Sequence, residues 1–165
     1  MTTTDDVTVT TVVAVDPATA FEVFTNEIDA WWKTGPRFRV NADRKSAMRF
    51  EGGVGGRLLE VYDDASDDAF EHGRILVWEP ADRLVFQMGG RDFQPGESTE
   101  VEVRFETAEQ GTRVTVEHRG WDRFPKGHRV RHGLEGSAFR NLMGVWWGDL
   151  LVSLRQEADR SERDA

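Results

Sequence analysis

The chain contains no cysteine. That absence excludes a disulfide framework, a thiolate zinc site and a cysteine nucleophile. Positive charge is also in short supply: 21 Lys and Arg against 30 Asp and Glu leave a net charge of −9. A chain with that balance is a poor match for a polyanion or an anionic bilayer, so neither nucleic acid nor a membrane is expected as a partner. Long apolar runs are missing as well. The longest are a few residues, against the roughly 20 that a membrane helix needs. The opening MTTTDDVTVT has neither the basic start nor the apolar stretch of a secretory signal. A cytoplasmic location follows as the expectation. Tyrosine is nearly absent, with one residue, yet there are six Trp and ten Phe in a chain that is 31% charged. That much apolar aromatic bulk needs a place to go.

At 165 residues the chain is read as a single domain, 1–165, with an ordered core from about 7 to 157 and polar, frayed ends. A chain of this size buries about 70% of the surface that its unfolded form exposes, so it needs no metal or crosslink to hold a core. Val7, Val9, Val13 and Val15 share a face with threonines interleaved, the alternation of a strand. Asp16-Pro17 is an N-cap followed by proline at the first helical position, and the apolar spacing predicts one or two short helices from Pro17 to about Lys33, ended by Gly35-Pro36. From about Ala47 to Arg119 short alternating runs are separated by turn-rich segments, which argues an antiparallel meander of about six strands. After Pro125 the period becomes 3.6, and Phe139, Leu142, Met143, Trp146, Trp147, Leu150, Leu151 and Leu154 form one wide stripe. This predicts a long C-terminal helix starting at Gly127 or Ser137 and running to about Ala158.

That order carries signposts over nearly the whole chain. They are Val13-Ala14-Val15-Asp16-Pro17 with Ala20-Phe21, the doublet Trp31-Trp32, Gly55-Gly56-Arg57, Gly73-Arg74-Ile75, Glu79-Pro80, Asp82-Arg83-Leu84, Ser98–Val101, Gly111–His118, Gly120-Trp121 and Trp147. Together they resemble the START-like SRPBCC superfamily, and within it the branch named after the activator of the heat-shock-protein-90 ATPase. Val116–His118, Trp121–Arg123 and Arg129–Gly133 are further similar to the calicheamicin self-resistance group of that branch, whose sacrificial activity is not transferred here. Trp146 departs from the pattern, because the branch usually has glycine directly before the helix tryptophan. The resemblance implies an α+β helix-grip (START/Bet v-like) fold. A curved antiparallel sheet would wrap around the long C-terminal helix, with two short helices after the first strand. It also implies a cavity between sheet and helix that holds a hydrophobic or amphipathic small molecule. It implies no cofactor and no universal catalytic set. A cochaperone-like regulator of a heat-shock-protein-90 homologue and a cyclase or hydratase acting on a polyketide-like substrate are the alternatives, and a homodimer is a further expectation.

The candidate ligand-binding residues follow from alternation and the helix stripe: Phe86, Met88, Val103, Phe105 and Val116 on the sheet, Phe139, Met143 and Trp147 on the helix, and Trp32 and Trp121 near the sheet ends. The alternative for each is plain core packing. His118 shares the parity of Val114 and Val116, so it is the candidate general acid/base or ligand donor, or else a structural histidine. His128 and His132 would share a helix face, but two histidines flanked by arginines make no metal site, and no metal is expected. Residues 119–140 hold six basic and two acidic side chains, a local +4 that leaves −13 on the rest of the chain. Arg123, Arg129 and Arg131 are therefore candidate anion contacts on a cavity rim, or partners of the protein's own acidic turns, such as 63–68. The Gly52–Gly56 cluster lacks the Lys-Ser/Thr of a phosphate loop and is expected to be a tight turn with a bulge.

Overall fold

The computed structural model describes residues 4–163. Strand β1 (Val7–Val13) leads into α1 (Pro17–Thr25) and α2 (Ile28–Trp31). Six strands follow: β2 (Ala47–Phe50), β3 (Arg57–Asp63), β4 (Asp68–Glu79), β5 (Arg83–Met88), β6 (Thr99–Ala108) and β7 (Gly111–Arg119). Helix α3 (Gly136–Arg163) closes the chain. The seven strands form one curled antiparallel sheet in the order β1-β7-β6-β5-β4-β3-β2. This is the expected helix-grip architecture.

Local chemistry explains the elements. Asp16 Oδ1 accepts from the Thr19 N–H at 2.8 Å, so α1 starts where a capped proline-led helix should. β6 and β7 alternate with few exceptions, and their inward residues Val101, Val103, Phe105, Val114 and Val116 are buried under α3. The 3.6-residue stripe of α3 buries Phe139, Met143, Trp147, Leu150, Leu151 and Leu154 against them. Helix α1 adds Phe21 and Phe24, whose rings lie 5.2 and 5.9 Å from Phe105.

The structure differs from the sequence reading at several ends. Of the two expected starts of helix α3 the later agrees within one residue: it begins at Gly136, and residues 129–131 form a separate 3-10 turn instead of extending it back to Gly127. His128 caps that turn, its Nδ1 accepting from Val130 N–H, while His132 adopts a left-handed backbone with φ 52°. The two imidazoles therefore do not share a helix face. The polar C-terminal stretch does not fray at Ala158; it stays helical to Arg163 because Ala158 still packs on the core. Near the other end Asp5 is buried, held by Arg131, Arg140 and the Gly136 N–H.

The curl comes from irregularities placed by glycine. Gly53 and Gly55 take positive φ in the turn before β3, and β3 carries a bulge at Leu58/Leu59. Strand β4 pairs with β3 through its first half and with β5 through its second, shifting register between Ile75 and Val77. At the handover a Cβ on Gly73 would sit inside contact distance of the Gln87 carbonyl oxygen. Gly73→Ala is therefore expected to cost about 2–4 kcal/mol in urea unfolding. Gly148→Ala is the control: the added methyl meets nothing within 4 Å on α3, and a gain of about 0.5–1 kcal/mol is expected.

Candidate functional site

The expected ligand-binding residues do converge. Phe86, Met88, Val103, Phe105, Val116, His118, Trp121, Phe139, Met143, Trp147 and Trp32 are all buried between sheet and helix. Their rings largely fill the space. Trp32 meets Trp147 edge-on at 6.0 Å, Trp147 meets His118 at 6.0 Å, His118 meets Trp121 at 4.6 Å, and Trp121 meets Phe139 at 4.9 Å. Of the eleven, only Met88 also lines an open cleft.

His118 occupies the middle of this row, and its partners are all internal. Trp147 Nε1–H donates to His118 Nδ1 at 3.0 Å, which leaves the ring proton on Nε2. Nε2 meets Thr99 Oγ1 at 2.6 Å, and the Thr99 hydroxyl donates to the Met88 carbonyl at 3.0 Å. Burial without a charged neighbour pushes the imidazole down to about 3, so it is neutral. A neutral ring with both nitrogens bonded has none left for a ligand proton. Of the two readings of His118, the geometry matches the structural histidine, which joins α3 to β6 and β5.

The rim arginines separate. Arg131 is buried, not on a rim: it pairs with Asp5, donates through Nε to the Phe124 carbonyl at 2.9 Å and lies 4.6 Å over the Phe139 ring. Arg140 joins it on Asp5 at 3.1 Å. Arg119 turns to the outer sheet face, where it binds Glu100, Glu102 and Glu117. Arg123 reaches the Ser98 carbonyl at 3.3 Å, and Arg129 is exposed. The acidic turn after β3 takes Arg44 and Arg49 instead, as pairs with Asp68 and Asp64.

An open cleft of about 630 Å3 lies where the loop between α2 and β2, the end of β5 and α3 meet. Pro36, Phe38 and Val40 form one side, Leu142 and Trp146 of α3 another, and Met88, Leu134 and the 89–92 segment the floor and far edge. Trp146 is the residue that departs from the family pattern, and its ring stacks on Phe38 at 5.6 Å and 27°. Its Nε1–H donates to the Arg37 carbonyl at 2.7 Å, and Arg37 pairs with Asp149 at 3.2 Å. The bulky ring therefore pins the 36–40 loop onto α3 and walls the cleft rather than filling the interior.

The loop itself is held from below. Buried Arg39 donates to the carbonyls of Lys33, Trp32 and Ser46, to Ser46 Oγ and to Asp29. Trp32 Nε1–H donates to the Phe38 carbonyl at 3.0 Å. Glu60, wholly buried, accepts from the N–H groups of Val40 and Asn41 at 2.9 and 3.2 Å and from the Tyr62 hydroxyl at 2.6 Å. His72 Nε2 faces the same carboxylate at 3.2 Å, and its Nδ1 faces the Gly89 carbonyl at 3.4 Å. Burial would raise the Glu60 carboxyl, but these hydrogen bonds outweigh it and hold the group down at about 2. His72 also lines the cleft, so the carboxylate supports both its wall and its loop. Arg91 donates to the Val40 carbonyl across the mouth, and among the described residues it has no carboxylate partner.

Sequence reasoning missed this cleft, since most of its wall comes from loops without periodicity. The available signals were the anomalous Trp146 and the long segment 89–97 after β5. No cluster of three or more metal-ligating side chains occurs among the described residues. No helix among them is long and apolar enough to cross a membrane.

The family model described as "Activator of Hsp90 ATPase homolog 1-like protein" matches residues 14–145. The chain belongs to that family. Solved structures agree on the fold. SA2116 from Staphylococcus aureus, a protein of unknown function, superposes with a TM-score of 0.68 at 14% identity, covering 96% of this chain and 95% of its own. MLL2253 from Mesorhizobium loti gives 0.64 at 18% identity over 94% and 97%. The Aha1 dimer from Colwellia psychrerythraea gives 0.60 at 16% over 91% and 92%. No curated protein sequence matches this chain. Within the family frame, the cleft lies at the mouth of the helix grip, between sheet and C-terminal helix.

The two internal titrations predict a two-stage acid response. The His118 imidazole stays neutral down to about 3 in the fold but takes a proton near 6.5 when unfolded. A depressed folded value stabilises above the unfolded value and loses that contribution as pH falls. Stability is thus expected to drop from pH 6.5 downward, by about 1.4 kcal/mol per pH unit for that one proton. Below 4.5 Glu60 adds its own loss, since its folded carboxyl titrates only near 2. Urea unfolding across pH 7 to 3 checks this, and His118→Gln should remove the upper stage while leaving the lower one.

Proposed function

We propose that the protein binds an amphipathic small molecule in the cleft at the mouth of the helix grip. The carrying observation is the cleft's composition: an apolar wall of Phe38, Trp146, Leu142 and Met88 with three arginines in its lining, of which Arg37 and Arg39 are paired with Asp149 and Asp29 while Arg91 has no carboxylate partner among the described residues. Binding sites of this kind bury an apolar body and orient it with few polar groups. Burial of the ligand's apolar surface supplies the free energy at about 25 cal/mol per Å2. Arg91 receives the polar or anionic end, because its charge is not neutralised by a carboxylate of the protein. A cyclase or hydratase chemistry at His118 lacks comparable support, since both ring nitrogens are bonded within the protein.

Anilinonaphthalene sulfonate, an apolar body with an anionic end, is the test probe. It should bind with saturable fluorescence gain. Trp146→Ala should weaken it roughly tenfold, the equivalent of about 1.4 kcal/mol of aromatic contact. Arg91→Ala should weaken it less and remove much of its salt dependence. Folded variants that bind the probe like the wild type would overturn the reading.

Two partner readings have support of their own. The family description supports a regulator of a heat-shock-protein-90 homologue, and an unchanged chaperone ATPase rate on adding this protein would dismiss it. The dimeric relative from Colwellia supports a second copy as partner, which sedimentation at micromolar concentration decides.

A further inference from the structure

Among the described residues one buried side-chain polar atom finds no hydrogen-bond partner: the indole nitrogen of Trp121. Its residue is 4% exposed. Four other tryptophans show the usual solution. Trp31 donates to the Val23 carbonyl, Trp32 to Phe38, Trp146 to Arg37 and Trp147 to His118. A buried N–H without an acceptor costs about 1–3 kcal/mol. Phenylalanine would fill much of the same space without that cost.

The position of Trp121 ties it to the cleft. It opens the 3-10 turn after β7, packed between His118, tilted at 4.6 Å, and Phe139, edge-on at 4.9 Å, with Phe93 at 6.3 Å. On α3, Phe139 touches Trp121 and Trp147 touches His118; the residue midway, one turn from each, is Met143. On the sheet, Met88 lines the cleft, and its carbonyl is bonded to Thr99, which is bonded to His118. Met88 and Met143 are thus the two flexible side chains nearest this row of rings, one on the sheet at the cleft and one on α3. Both are unbranched thioethers that change rotamer at little cost and fill irregular gaps.

The geometry points to an inner subsite behind Met88 and Met143, in which the Trp121 indole N–H donates to a carbonyl or hydroxyl oxygen of the bound molecule. The inference rests on the cleft reading above and deepens it. The ligand class becomes an apolar body with a hydrogen-bond acceptor at its leading end, while any anionic group stays outside at Arg91. Selectivity arises because an analogue without the oxygen leaves the donor unpaired.

Two probes test it: propionyl-dimethylaminonaphthalene, and the propyl analogue with the same ring system and no carbonyl. Calorimetric titration of the wild type should favour the propionyl probe by roughly five- to tenfold, the range of one neutral hydrogen bond. Trp121→Phe should erase that preference with an unchanged or raised melting temperature. In the wild type, the Trp121 indole N–H resonance should shift with the propionyl probe and not with the propyl one, a readout that stands even if the variant fails to fold. Equal binding of both probes, or a preference that survives Trp121→Phe, overturns the subsite and leaves the cleft reading intact. Binding of neither probe, with no response to anilinonaphthalene sulfonate, overturns both.

Discussion

Everything in the interior depends on one chain of hydrogen bonds, from the Trp147 indole through His118 and Thr99 to the Met88 carbonyl. Helix α3 could slide or rotate on a purely apolar sheet face with little change in buried area. A buried donor and acceptor pair removes that freedom, because each alternative register leaves polar atoms unpaired at about 1–3 kcal/mol apiece. Once Trp147 is tied to His118, Met143 and Phe139 must lie one and two turns back along the helix, facing β7 and the turn that follows it. The row of rings from Trp32 to Phe139 is then fixed, and so is the gap beside it.

A second set of constraints shapes that gap. The chain between α2 and β2 has no helix or strand to satisfy its backbone, so side chains do so. Arg39, Glu60 and Trp32 bind it from the core side, and Trp146 binds it from α3. Both charged members are buried, which is tolerable only because their hydrogen-bonding capacity is nearly filled. The cleft is therefore walled by a loop that is polar beneath and apolar above. The basic island serves mainly elsewhere: Arg131 and Arg140 fasten the β1 end to α3 through Asp5, and Arg119 binds the outer sheet face.

Much of this was legible in the residues. The valine-threonine alternation of β1, the Asp16-Pro17 cap and the 3.6-residue stripe of α3 each have one physical reading, and the structure follows them. The inward set of β6 and β7 was legible for the same reason. Glu60 was not. Its neighbours Leu58, Leu59 and Val61 are buried with it, because the bulge between Leu58 and Leu59 breaks the alternation by which a strand sorts its faces. Trp146 was visible as an anomaly, but whether it plugged the interior or walled its mouth depended on a loop with no periodicity.

Composition, charge and periodicity alone determine an acidic, cysteine-free chain of one strand, short helices, an antiparallel meander and a long amphipathic helix, because those properties act residue by residue along each element; the helix grip itself came from the family resemblance. The same residues leave open which aromatic rings pack solid and which stay accessible. Only the tertiary structure decides that His118 is spent on holding the helix, that Arg131 is buried on Asp5, and that the open space lies among Phe38, Met88 and Trp146. The reason is that hydrogen-bond partners and voids belong to pairs of elements distant in sequence, and no single element carries the information about what it will meet.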